Sequence, residues 1–372
     1  MAQSSAIFLF LRYSLGDKVD MSMVVANIDW QQLYSFATKQ TIIGICFDGI
    51  KRLSEEYPEE LKKNPIGREL LMTWMGKAQQ IRRQNMKVNS VASKLFSMLR
   101  KDGLRCCILK GQGNALMYGN PYSRNPGDVD VWVNASREDI RVLAQSLAKG
   151  KGCVKNESLN HIELEVNGVA VELHSTPAIM NNPVYNHRLQ KWLKRNADLQ
   201  CSNIVSLPDN AGDVAVPTSY FNCVYQLFHL YHHYFYEGVG LRQIVDYYFV
   251  LVKSEERRVK NQTALQRELK YLGLWKFAGA VMYVLHVVLG LPEERMIRPM
   301  DVKRGRIFLD EILSGGNFGH YDTCISFGNG AFGHNMQRLY RDLRLAWYYP
   351  AEALSEPIFR VWHFFWRMKN NK

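Results

Sequence analysis

Two aspartates one residue apart, Asp128 and Asp130, stand in the run Gly127-Asp128-Val129-Asp130-Val131-Trp132-Val133. The alternation is that of a strand, with Val129, Val131 and Val133 on one face and Asp128, Asp130 and Trp132 on the other. Two carboxylates side by side on one face repel. A divalent cation between them removes the conflict. Mg²⁺ suits such a place, because it takes hard oxygen ligands and leaves room for substrate phosphates. Upstream, Lys110-Gly111-Gln112-Gly113 turns an apolar strand, Cys106 to Leu109, into a short helix expected from about Gly113 to Tyr118. Free N–H groups at a helix start attract anions, and Lys110 can neutralise a phosphate there. A Gly-x-Gly alone is equally a plain glycine turn beside a solvated lysine; the neighbouring Asp-x-Asp strengthens the phosphate reading.

A hairpin thirty residues downstream offers further acids. His161-Ile-Glu-Leu-Glu-Val166 and Val169-Ala-Val-Glu-Leu-His174 flank Asn167-Gly168. Asn-Gly between alternating runs predicts a type I′ turn, whose two central residues need positive φ. That turn pairs 166 with 169 and, counting outward, 161 with 174. Opposed residues share a face. Ile162, Leu164, Val166, Val169, Val171 and Leu173 then make an apolar face, and His161, Glu163, Glu165, Ala170, Glu172 and His174 the other. Glu165 adjoins the turn and reads as a solvated acid. Local geometry leaves Glu163 and Glu172 both open as a third carboxylate. The more apolar strand, Val169 to His174, is the better neighbour for the aspartate strand, which favours Glu172.

Taken in order, Leu109-Lys110-Gly111, Arg124-Asn-Pro-Gly127-Asp128-Val129-Asp130 and Glu172-Leu173-His174 resemble the motifs of an uncharacterised bacterial nucleotidyltransferase family of the polymerase β-like superfamily. Gly240-Leu241-Arg242-Gln243-Ile244-Val245-Asp246 extends the likeness. It is tight over about 65 residues, a span within one ordinary domain, and loose over most of the chain. Better-known relatives carry Gly-Ser or Gly-Gly at the phosphate turn, where this chain has Lys110-Gly111-Gln112-Gly113. The resemblance implies an α+β fold: a polymerase β-like core, a small mixed sheet with helices, flanked by N-terminal and C-terminal helical regions. It implies a magnesium-dependent transfer of NMP from an NTP to an acceptor hydroxyl, with release of pyrophosphate. Asp128, Asp130 and Glu172 would be the catalytic acids and the ligands of one or two Mg²⁺ or Mn²⁺. Lys110, Gly111, Gly113, Arg124 and Gly127 would hold the nucleotide phosphates. His174, Glu163, His161, Arg242 and Asp246 would be accessory. The acceptor class stays open among tRNA, a protein hydroxyl, a sugar and a small molecule. Two other readings compete: a nucleotide- or RNA-binding module on the same fold, and a toxin or defence factor that modifies tRNA. The complete set of acids favours an enzyme.

The elements around these motifs are mostly helical, in a division of 1–100 as a helical region, 101–205 as the core and 206–372 as a helical domain. Asp29 is placed to cap a helix through Trp30 and Leu33. Leu70 to Leu99 reads as one long helix, or two if Gly76 breaks it, with a packing stripe of Trp74, Met75, Ile81 and Leu95. Ser136 is placed to cap a helix that Gly150 to Gly152 closes. Leu207 to Pro217 reads as a linker or edge strand, and Tyr220 to Tyr236 as a long aromatic helix. His229 and His233 lie one turn apart on it, a spacing zinc can bridge, although helix packing is the commoner use. Arg242 and Asp246 form an i,i+4 pair, either a salt bridge or a pair reaching toward the cleft. Leu265 to Leu289 reads as helix, Gly315 to Gly333 as a loop, and Met336–Trp347 and Pro357–Met368 as basic-aromatic helices. Arg338, Arg341, Arg344, Arg360 and Arg367 there suit RNA or an anionic membrane face, or a helix packing its aromatics inward.

Lys and Arg number 47 against 35 Asp and Glu, a formal charge of +12, which permits a polyanionic partner such as nucleic acid. The 7 cysteines show no metal spacing and read as reduced thiols of a cytoplasmic protein. The apolar run Ala6 to Leu11 is too short for a signal core or a transmembrane segment.

Overall fold

A computed structural model describes residues 2–253, 262–317 and 331–370. Five helices open the chain: α1 Ala2–Ser14, α2 Ser22–Asn27, α3 Trp30–Lys39, α4 Ile43–Glu56 and α5 Pro58–Lys63. The Asp29 carboxylate caps α3, accepting from the Gln32 amide at 3.0 Å. Helix α6, Arg68–Lys101, runs unbroken for 34 residues. Gly76 does not interrupt it, since nothing packs near that position and the helix continues through it at the ordinary glycine cost of about 1 kcal/mol.

The sheet follows. Its strands are β1 Cys106–Leu109, β2 Val129–Val133, β3 Gly152–Glu157, β4 His161–Val166 and β5 Val169–His174, in the spatial order β1-β2-β5-β4-β3. β2 pairs antiparallel with β1 and parallel with β5. β4 pairs antiparallel with both β5 and β3. Between β1 and β2 lies α7, Gly111–Ala115, which starts two residues earlier and is shorter than the sequence predicts. Between β2 and β3 lies α8, Arg137–Lys151, opened by a reciprocal cap between Ser136 and Asp139. Strand β3 is an addition to the sequence reading, which ended the α8 helix at Gly150–Gly152 and assigned no strand after it. The hairpin register is the predicted one, from Val166 opposite Val169 to His161 opposite His174. Asn167 and Gly168 both carry positive φ, 51° and 70°.

The valine face of β2 and the apolar face of the hairpin pack on Val88, Leu95 and Leu99 of α6 and Ile140 and Ala144 of α8. The acid-bearing face therefore looks the other way, toward the C-terminal helices. These begin with α9, Pro183–Ser202, and a two-stranded ribbon of β6 Ile204–Leu207 and β7 Gly212–Ala215. That ribbon replaces the expected linker or edge strand. Then come α10 Ser219–Tyr236, α11 Leu241–Lys253, α12 Gln262–Tyr271, α13 Trp275–Leu289, α14 Val302–Gly315, α15 Ala331–Ala346, α16 Pro350–Ala353 and α17 Glu356–Asn370. The expected single helix from 265 to 289 is two, because Gly273 at φ +77° turns the chain between α12 and α13. Of the glycine-rich stretch expected as a loop, residues 318–330 lie outside the described residues; Gly315 ends α14 and 331–333 belong to α15.

The first and last parts of the chain share one core. Phe10, Leu11 and Leu33 belong to the same buried cluster as Phe277, Leu285 and Phe308. Arg12 donates to three carbonyls at the end of α13: His286 at 3.2 Å, Val287 at 2.5 Å and Val288 at 3.2 Å. Among the described residues no helix is long and apolar enough to cross a membrane.

Candidate active site

Strand pairing brings the acids together. In the parallel β2–β5 ladder Asp130 faces Glu172 and Trp132 faces His174. Asp128 stands immediately before β2. One oxygen from each of Asp128, Asp130 and Glu172 lies within 4.8 Å of the others. Lys110 reaches the same point from the end of β1, its Nζ 2.8 Å from Asp130 Oδ1. Its backbone has φ 52° and ψ −134°, a conformation that costs a side-chain-bearing residue energy and recurs at functional sites. Gly111 follows at φ +34°, against the backbone carbonyl of Asp128.

His174 Nε2 lies 3.1 Å from both Asp130 Oδ1 and Glu172 Oε2. His161 Nε2 lies 3.4 Å from Glu163 Oε1 and 3.9 Å from Glu172 Oε1. Asp130, His174 and the Lys110 ammonium thus form a tight, alternating array of charge.

The titrations follow from that array. The Asp128 carboxyl is raised to about 7, first by the like charge of Asp130 and then by burial. Burial would also raise Asp130, but Lys110 and His174 overcome it and hold its carboxyl far below the usual range. Burial opposes the charged form of His174 too; its contacts with Asp130 and Glu172 prevail and raise it to about 9. Burial is the largest single influence on Glu172 and raises it, but His174 and His161 together outweigh burial and Asp130 and hold it below its ordinary value. Lys110 is likewise held charged against burial, chiefly by Asp130. Two of the acids therefore prefer the ionised form at neutral pH and one is poised to take up a proton.

A second ionic group braces the wall. Arg124 donates through Nε and Nη2 to the two oxygens of Asp246, each at 2.8 Å. The Tyr118 hydroxyl donates to Asp246 Oδ1 at 2.6 Å. Arg124 is 4% exposed and Asp246 3%. Asp246 is thus held bidentately by Arg124, and of the two readings of Arg242 and Asp246 the reach toward the cleft agrees with their place on the cavity wall. Arg242 Nη1 donates to the Asn125 carbonyl at 3.2 Å and lies against Gly127.

These groups edge a cavity of about 910 Å³ between the sheet and the C-terminal helices. Lys110, Gly111, Arg124, Gly127, Asp128 and Asp130 line it, as do His161, Glu172, His174, Arg242 and Asp246. Gly113 and Glu163 are not on its wall. Gly113 points to Val216, where a Cβ would come within 2.9 Å of a methyl. Glu163 sits one strand farther out, opposite Glu172.

That C-terminal helices face the sheet across the cleft was expected, but the residues of this opposite wall were not anticipated as part of the site. His229, His232, His233 and Tyr236 of α10 and Glu237 just after it line it, and Phe359, Phe364 and Phe365 of α17 cover it. Their spacing was visible in the sequence, but nothing local said that this stripe faces the acids. His233 Nε2 approaches His229 Nε2 at 3.0 Å, and its Nδ1 approaches Glu237 Oε2 at 2.9 Å. Burial keeps His229 neutral, and together with His233 it pushes His232 down to about 3.

No curated protein matches this chain. A solved structure described as an antigenic nucleotidyltransferase-like protein from Paracoccidioides brasiliensis is 20% identical, with a TM-score of 0.32, over 55% of this chain and 92% of that one. The sequence pattern of the uncharacterised nucleotidyltransferases matches residues 26–290, which is most of the chain and includes every motif of the acid-lined wall, and the chain belongs to that family.

Proposed function

We propose that the protein moves a nucleoside monophosphate from an NTP to an acceptor hydroxyl and releases pyrophosphate. The observation that carries this reading is the convergence of Asp128, Asp130 and Glu172 oxygens within 4.8 Å at the floor of a large cavity. An all-oxygen donor set of this charge fits Mg²⁺ or Mn²⁺. Asp128, Asp130 and Glu172 would hold the ion, which when bound supplies Lewis-acid stabilisation of charge on the triphosphate. Membership of a nucleotidyltransferase family supports the same class of chemistry.

The chain's own residues have separable tasks in this reading. Lys110 places an ammonium beside the acids, where it can move from Asp130 to a phosphate oxygen. Arg242, next to Gly127, adds a second cation at the mouth. Arg124 acts at one remove, since its guanidinium already holds Asp246. The acceptor oxygen attacks the α-phosphorus, the bond to the β-bridging oxygen breaks, and pyrophosphate leaves. The hydroxyl proton passes to Asp128, the one acid of the three that its neighbours leave poised to take it up. His174 keeps Glu172 oriented during this step. A reduced, cytoplasmic setting fits the buried thiols of Cys46, Cys106, Cys107, Cys201 and Cys223.

The test is incubation with each α-labelled NTP, Mg²⁺ and a cell extract. Label should appear in one macromolecular or small-molecule fraction and vanish with Asp128→Asn. Tight NTP binding with no label in any fraction would instead identify a binding module.

A further inference from the structure

The hairpin places a second group of possible ligands next to the three acids. His161 faces His174 across the ladder, and Glu163 faces Glu172. These four side chains form a two-by-two block on the polar face. One ligand atom each from His161, Glu172 and His174 lies within 4.8 Å of the other two. Ligands of one tetrahedral zinc, with bonds of about 2.0 Å, lie roughly 3.3 Å apart. Here His174 Nε2 to Glu172 Oε2 is 3.1 Å, and His161 Nε2 to Glu172 Oε1 is 3.9 Å. Small rotations of two side chains would bring the set to bonding distance.

Two further observations point to a ligand. The Nδ1 of His161 lies 3.0 Å from the Ser158 hydroxyl. That contact fixes the ring so that Nε2 faces the carboxylates, as outer partners do for metal-binding histidines. His174 is 4% exposed, and Nε2 is the ring nitrogen it turns to the carboxylates, 3.1 Å from Glu172 Oε2.

The donor chemistry differs from that of the neighbouring acids. Imidazole nitrogens suit zinc-like ions, whereas Mg²⁺ keeps to oxygen. We propose that His161, Glu172 and His174 form a second cation position that takes a borderline transition ion of the zinc class. It lies beside the all-oxygen position and shares Glu172 with it. The cavity opens onto all three residues, which gives the ion a path in. The proposal goes beyond nucleotide transfer and stands whether or not transfer is found.

Co²⁺ alone is the probe. Bound at a four-coordinate site with nitrogen ligands it absorbs strongly in the visible; in an octahedral oxygen site its bands are weak. The full chain, stripped with chelator and dialysed, is titrated near neutral pH. Strong bands should appear and saturate, and Zn²⁺ should bleach them while excess Mg²⁺ leaves them. His161→Asn and His174→Asn should lose the strong bands, and Asp128→Asn should keep them. Far-UV circular dichroism checks that each variant is folded. Strong bands in folded His161→Asn, their loss in folded Asp128→Asn, or weak bands in the wild type would each overturn the proposal. So would bleaching by Mg²⁺.

Discussion

Asp128, Asp130 and Glu172 are three carboxylates with three different electrostatic surroundings. Asp130 and Glu172 are stabilised as anions by Lys110 and His174, while Asp128 bears the repulsion. Under the transfer reading, Asp128→Asn and Glu172→Gln should each abolish Mg²⁺-dependent labelling. Glu163→Gln, one strand away and off the cavity wall, should keep most of it. Comparable losses in the Glu163 variant would shift the third acid outward. The pH dependence has a defined sign. A carboxyl raised to about 7 contributes stability below the ordinary carboxylate range and loses that contribution as pH climbs through 7. Asp130, with its depressed pKa, contributes the other way, and that part is lost as pH falls. In chelator, Asp128→Asn should therefore raise Tm at pH 8 by on the order of 2 °C and raise it clearly less at pH 5. An equal rise at both values would mean that charge relief is not the cause. The acids were legible in the sequence because a period of two and a two-residue turn fix their faces. The histidines of α10 were legible as a stripe but not as a wall, because which helix covers a sheet is a tertiary fact.

At the scale of elements, the turn and the brace position the site. Gly168 sits at φ +70°, and a Cβ there would meet the end of the Lys87 side chain at 2.8 Å. The lysine tip can move, so Gly168→Ala should cost only the backbone strain, about 1 kcal/mol in urea unfolding. Deleting Gly168 is a different event. It shifts the register by one and sends Glu172 and His174 toward the apolar core. That variant should fail to yield folded protein, and a soluble, active product would refute the register argument. The brace is steeper. Asp246→Asn leaves the Arg124 guanidinium buried without its counter-charge and should destabilise by about 3–5 kcal/mol. Loss of activity without loss of stability would instead make Asp246 a substrate contact. The sequence set Asp246 beside Arg242 because i,i+4 spacing is all that a single helix reveals. The bidentate partner comes from a loop 122 residues earlier.

For the whole molecule, the charge of +12 makes one solution prediction. If the partner is single-stranded nucleic acid, log K should fall against log salt with a slope of about −0.7 per phosphate neutralised. A flat response would reduce the basic helices to solvated faces. The shared core makes another. Arg12→Ala removes three hydrogen bonds that fasten α1 to the end of α13, and should cost about 1–3 kcal/mol. Limited proteolysis should then cut first near residues 14 to 22, with the sheet still protected. The separation of the two partners has a consequence for how the chain is made. Arg12 waits for a carbonyl 276 residues later. At ~5–20 residues per second a ribosome needs tens of seconds to deliver it. In that interval α1 can already pack on the early helices, with Phe10 against Trp30 and Arg52 on the Tyr13 carbonyl, while the side it turns to α13 stays uncovered. The acid-bearing sheet, complete by residue 174, can close over α6 in the meantime. The α13-facing side of α1 is thus covered late, and a nascent-chain chaperone would find a long-lived binding site there.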